Sequence, residues 1–159
     1  MIENPNERIP CRVFTRASDA SVAAANEIAE LIREKADQGK MCVLGLVAGS
    51  SPVNVYNELV RMHQKGEVSF ANVITFNLDE YFPMQPFELQ SVSRFMHEHL
   101  FDMVDIQPSN VHIPDGAVPK AEVAEYCHQY EQQICDCGGI DIQLLGINRT
   151  GHIGLNEPG

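Results

Sequence analysis

Apolar residues recur along this chain in two rhythms that alternate from one end to the other. Val22, Ala25, Ile28, Ala29 and Ile32 stand at helical spacing and predict an amphipathic helix. Ser18-Asp-Ala-Ser21 supplies N-cap chemistry for it, and Gly39 suits a stop after about Gln38. Met41 to Leu46 is a continuous apolar run, too short for a helix and read as a central strand. Val53, Tyr56, Leu59 and Val60 return to helical spacing, with Pro52 at the first helical position and Gly66 at the close. Asn72 to Asn77 reads as a second buried strand. Val92, Phe95, Met96 and Leu100 then mark a helix over about 91–101. Pro108 to Gly116 holds a short strand and a turn. A helix from about Lys120 to Cys137 carries Val123, Tyr126, Tyr130 and Ile134 on one side and ends at Gly138-Gly139. The run from Ile140 to Gly146 reads as a last buried strand. Residues 1–10 read as an extended lead-in to a short strand at Arg12-Val13-Phe14.

Strand and helix alternate without an internal repeat or a low-complexity linker. That order predicts one α/β domain over residues 1–159, a layered sandwich on a mostly parallel sheet. The order of the strands within the sheet is not written in the sequence.

Charge narrows the classes of partner. The chain has 11 Lys and Arg against 22 Asp and Glu, a net charge of −11. Arg94 is the only cation between Lys65 and Lys120, so no basic groove for nucleic acid is expected. No segment approaches the roughly 18 consecutive apolar residues of a membrane span. The opening residues lack the apolar core of a signal peptide, so a cytoplasmic protein is expected. Five cysteines without paired spacing fit reduced thiols better than a disulfide framework or a zinc ribbon. His97 and His99, two residues apart on one helix, fall on different faces and are poor joint metal ligands.

Three loops carry the candidate chemistry, each at the carboxyl end of an expected strand, where open parallel sheets bind ligands. Ala48-Gly49-Ser50-Ser51-Pro52 joins a strand to a helix start, an arrangement whose free N–H groups and helix dipole suit a bound anion such as phosphate. It has neither the lysine of a Walker loop nor the full dinucleotide glycine pattern. Leu78-Asp79-Glu80-Tyr81 puts two carboxylates directly after an apolar strand, where they should face a cleft or water rather than be buried unpaired. A role as helix cap is the simpler alternative, but Pro83 and Pro86 predict that a loop follows. The third, Gly146 to Gly159, is a glycine-rich turn with His152 and Glu157 five residues apart.

Together, Gly49-Ser-Ser-Pro52, Phe76-Asn-Leu-Asp-Glu-Tyr81 and Gly151-His-Ile-Gly-Leu-Asn-Glu-Pro158 resemble the glucosamine-6-phosphate deaminase family. The similarity runs from about Val43 to Gly159 and takes in Val68-Ser-Phe70 and Ser91-Val-Ser-Arg-Phe-Met96. The resemblance implies a Rossmann-like three-layer fold, shared with 6-phosphogluconolactonases and ribose-5-phosphate isomerases. It implies conversion of glucosamine 6-phosphate and water to fructose 6-phosphate and ammonia, without metal or organic cofactor. By the same resemblance Asp79 is the base that moves a proton between adjacent sugar carbons. His152 helps open the ring, Glu157 orients and tunes that histidine, and Gly49, Ser50 and Ser51 take part of the phosphate. A small sugar phosphate is the implied partner, and a homo-oligomer of the complete protein is left open.

Two departures from the family pattern change what is expected. Relatives carry an aspartate directly before the Gly-His pair, where this chain has Thr150. A hydroxyl can hydrogen-bond an imidazole but cannot stabilise its charge as a carboxylate would. The family also continues for roughly a hundred residues beyond the Asn-Glu-Pro motif, and its cationic phosphate ligands lie there. The expectation is therefore an N-terminal portion of such a domain, with its sheet incomplete, an edge exposed and little activity of its own. A 6-phosphogluconolactonase would be expected to show Leu-Phe-Pro in place of Asn156-Glu-Pro158, and Glu-Arg in place of Glu80-Tyr81. A sugar-phosphate-sensing module would keep the anion loop without needing Asp79 and His152 together.

Overall fold

The computed structural model describes residues 9–156. Four helices, α1 (Ala17–Asp37), α2 (Val53–Gln64), α3 (Val92–His99) and α4 (Val123–Asp136), alternate with four strands. These are β1 (Cys42–Leu46), β2 (Val73–Asn77), β3 (Val111–His112) and β4 (Ile142–Gln143). They form one sheet in the order β3-β2-β1-β4, and every pairing is parallel. Leu44 at the centre faces Thr75 on one side and Ile142 on the other.

Side chains alternate across a strand, and this separates the layers. Cys42, Leu44, Leu46 and Val73 point into the main core, which they share with Ala25, Ile28, Ala29 and Ile32 of α1 and with Tyr56 and Leu59 of α2. Phe76, one step out of phase with Val73, serves the opposite face. There its ring stacks on His112 (centroids 4.5 Å apart) and meets Tyr130 of α4 edge-on at 5.6 Å. The arrangement is the expected α/β sandwich, with β1 buried along its whole length.

The main stops and starts follow the sequence reading, with differences that have local causes. No strand forms at Arg12–Phe14: Val13 is 96% exposed, and the Arg12 guanidinium instead lies 5.3 Å from the centre of the Phe14 ring. Helix α1 begins at Ala17 after Arg16, without a side-chain cap. Asp19 is taken by Arg16 at 2.7 Å, and the Ser21 hydroxyl donates back to the Ala17 carbonyl, so neither is left to cap. Pro52 sits one position before α2, already in helical backbone geometry, and its carbonyl accepts from Val55 and Tyr56. The expected helix over 91–101 is α3 followed by a 3-10 turn over Phe101–Met103.

The largest correction concerns the last strand. Only Ile142 and Gln143 pair, and both are half-buried. β4 occupies an edge of the four-stranded sheet, so it is covered less than an interior strand of the same apolar composition. Asp141 anchors it instead, accepting from Lys35 of α1 at 2.5 Å and from the Val43 N–H at 2.9 Å. On α4 the stripe Val123, Tyr126, Tyr130 and Ile134 is present as expected, but none of the four is fully buried.

Candidate active site

The three candidate loops leave the carboxyl ends of β1, β2 and β4, which are neighbours, and they converge on one cleft of about 900 Å³. Gly49, Ser50, Ser51, Asp79 and His152 all line it. Thr150 does not, and touches His152 from behind. Glu157 lies outside the described residues.

The loop after β1 is fixed from below by Tyr56, a fully buried residue of α2. Its hydroxyl donates to the Val47 carbonyl at 2.6 Å and accepts from the Val47 N–H at 3.2 Å. Beyond that anchor Gly49 turns at φ +121°, a conformation closed to residues with a Cβ, and the chain enters α2. Among the described residues, the N–H groups of Ser50, Ser51 and Val53 have no acceptor. They stand at the positive end of a twelve-residue helix, so the local field favours an anion. None of the described residues lining the cleft is a lysine or arginine.

After β2 the two adjacent carboxylates have separate tasks. Glu80 accepts from the Val92 and Ser93 N–H groups (2.9 and 3.0 Å), from the Ser91 hydroxyl (2.8 Å) and from the Tyr81 N–H (2.8 Å). It therefore serves as a cap for α3 from outside that helix. The cap reading thus describes Glu80, while Asp79 faces the cleft. Asp79 is half-buried in the cleft, and desolvation, with the negative charge of Glu80 second, raises its carboxyl above the usual range. A carboxylate held in this way is a stronger base than one in water.

The loop after β4 folds back on itself through bridges between Ile147 and Ile153 and between Ile153 and Asn156. Gly154, at φ +61°, brings its backbone against the loop after β2: a Cβ there would lie 2.8 Å from Leu78 Cδ2 and 3.4 Å from Asp79 Oδ2. This close approach seats the histidine loop beside the carboxylate loop. His152 Nδ1 is 2.8 Å from the Thr150 hydroxyl, so the residue in place of the family aspartate does contact the imidazole. His152 Nε2 is 3.0 Å from the amide nitrogen of Asn148. Asn148 is the site residue that sequence reasoning missed. Its signal was a carboxamide four residues before the histidine in the same turn.

A sequence profile described as glucosamine-6-phosphate isomerases/6-phosphogluconolactonase matches residues 15–154, nearly the whole chain. The chain belongs to this family. Glucosamine-6-phosphate deaminase 2 of Bacillus subtilis is 50% identical over 131 residues, covering 82% of this chain and 52% of that protein. Among solved structures of the family, a monomeric glucosamine-6-phosphate deaminase superposes with a TM-score of 0.83 at 40% identity, over 94% of this chain and 58% of that one. The 6-phosphogluconolactonase of Thermotoga maritima superposes less closely, with a TM-score of 0.65 at 25% identity over 82% of this chain and 59% of that one. The chain thus spans about half the length of the deaminases it matches. No helix among the described residues is long and apolar enough to cross a membrane.

Proposed function

We propose that this chain carries the proton-transfer half of a glucosamine-6-phosphate deaminase site. The reaction converts glucosamine 6-phosphate and water to fructose 6-phosphate and ammonia. The observation that carries the reading is the meeting of Asp79, His152 and the Gly49–Ser51 turn in one cleft. These are the three parts the chemistry needs: a base for the sugar carbons, a proton carrier for the ring oxygen and a seat for the phosphate.

In this reading the substrate phosphate sits on the N–H groups of the turn before α2, which sets the far end of the sugar toward His152 and Asp79. His152 passes a proton to the ring oxygen as the C1–O5 bond opens. Asp79 takes the proton from C2 of the open chain and returns it to C1, and water then displaces the amine as ammonia. A carboxyl raised by desolvation suits this shuttle because it can hold a proton between the two carbons. Glu157 is proposed to orient His152, as its place in the family motif implies. A charged sugar phosphate does not cross membranes unaided, which fits action in the cytoplasm.

The runner-up is lactone hydrolysis. Greater identity to the deaminases, and Tyr81 beside Glu80, favour the deaminase. The deciding experiment supplies glucosamine 6-phosphate to the full-length protein in D2O. Ammonia and fructose 6-phosphate labelled at C1 are expected, and Asp79→Asn should remove both by ~10²–10⁴-fold. Hydrolysis of 6-phosphogluconolactone with no ammonia would overturn the proposal.

A further inference from the structure

We infer that Thr75 and Asn77 form a binding site for internal water beneath the floor of the cleft, closed off from the solvent above. The inference does not depend on the reaction proposed for the cleft.

The polar residues buried among those described are Thr75, Asn77 and Ser91. Ser91 is committed, its hydroxyl donating to Glu80 at 2.8 Å and accepting from the Arg94 N–H at 3.4 Å. The buried Tyr56 hydroxyl of α2 is likewise taken by Val47, both as donor and as acceptor. The Thr75 hydroxyl and both ends of the Asn77 amide have no hydrogen-bond partner among the described residues, and each of these atoms exposes less than 1 Å². Turning the amide over changes nothing, because its oxygen and its nitrogen are equally unpaired. The Asn77 carbonyl does have a partner, the Tyr130 hydroxyl at 2.9 Å, so the shortfall lies in the side chain. Buried polar atoms left in this way are costly, and ordered water is the usual remedy.

Position explains why water is the ligand. Thr75 and Asn77 stand two apart on β2, so they share a face with Val73, which lies in the main core. Their partners on β1, Leu44 and Leu46, are core residues too. Neither Thr75 nor Asn77 lines the cleft, although Asp79, two positions on, does. Along a strand the two Cα atoms are about 6.6 Å apart and the side chains stand side by side, too far for a direct hydrogen bond of about 2.9 Å. A water spans two such bonds and so reaches both. It donates and accepts, as a mixed set of hydroxyl, amide oxygen and amide nitrogen requires. Buried waters make about three hydrogen bonds each, and three orphan atoms are on offer here. A cation suits the set less well: an amide nitrogen cannot ligate it, and no negative charge is among the three atoms to offset its own.

The test combines a high-resolution crystal structure of the protein with water relaxation dispersion in solution. An ordered water within about 3.2 Å of Thr75 Oγ1 and of one Asn77 amide atom is expected in the crystal. In solution, Asn77→Leu, similar in size but without the amide, should lose the relaxation amplitude of at least one long-lived water relative to the parent. Urea unfolding of Thr75→Val, Asn77→Leu and the double variant reads the coupling between the two side chains. Each single change removes one partner of the shared water and should lower the folding constant about tenfold, while the double variant should lose less than the product of the two. An Asn77 amide bonded to protein atoms, with no water beside it, would overturn the inference. So would equal relaxation amplitudes in the parent and Asn77→Leu, or losses that simply multiply in the double variant. Should Asn77→Leu fail to fold, the crystal structure of the parent decides by itself.

Discussion

Glu80 accepts from the hydroxyl of Ser91, eleven positions along the chain, at 2.8 Å, and the same carboxylate holds the first N–H groups of α3. Asp79, its neighbour in sequence, is left to the cleft. Equal chemistry at adjacent positions thus meets two different surroundings. Replacing Glu80 by Gln should cost about 1–3 kcal/mol of stability, because a charged acceptor at a helix N-terminus is lost. Urea unfolding of the two single variants checks this: Glu80→Gln should lower the midpoint and Asp79→Asn should not.

Asp79 itself should limit stability near neutral pH. Its carboxyl is raised above 3.8 in the folded chain, so the native state holds more protons than the unfolded one just above that pH. Stability from this group therefore falls as pH rises from 3.8 through the raised value. Asp79→Asn should melt higher than the parent at pH 7, and the difference should vanish below the ordinary carboxylate range. Thermal melts of both proteins across pH 3–8 would show it, and a parent that melts higher at pH 7 would refute it.

Asp141 has the opposite sign. Burial alone would raise its carboxyl, but the Lys35 ammonium and the Val43 N–H hold it below 3.8. Its contribution is present above 3.8 and is lost as pH falls through the depressed value. Asp141→Asn should destabilise the chain at pH 7 by on the order of 1 kcal/mol, allowing for solvent screening of a partly exposed pair. Amide exchange should accelerate first at Gln143 and Leu144, where β4 and the residue after it hang on β1.

Gly154→Ala should damage the site more than the fold. The new methyl meets Leu78 at 2.8 Å and stands 3.4 Å from the Asp79 carboxylate, in a backbone conformation that costs about 1–2 kcal/mol for other residues. A loss of turnover larger than the loss of stability implies, with Asp79 side-chain NMR shifts displaced, is the expected pattern. Full activity in this variant would mean that the loop's approach to Asp79 is not required.

The sequence by itself determined the elements and the loops that line the cleft. Helical spacing in α1, α2 and α4 and the apolar runs of β1 and β2 are local signals. So are the glycine turns after β1 and β4, and each survived in the fold because nothing distant contradicted it. Only the tertiary structure decided which strands are neighbours. The order β3-β2-β1-β4 brings the loops after residues 46, 77 and 143 to one cleft, although they are far apart in the chain. The half-exposure of β4 is equally non-local, since an edge and a centre can share one apolar composition. The contacts of Glu80 and Asn148 were hidden for the same reason. Adjacent carboxylates look alike until Ser91 and the first N–H groups of α3 arrive at one of them, and a carboxamide has no direction until the Arg149 N–H claims its oxygen. Hydrogen-bond geometry is settled by where the partner stands, and that is a property of the folded chain.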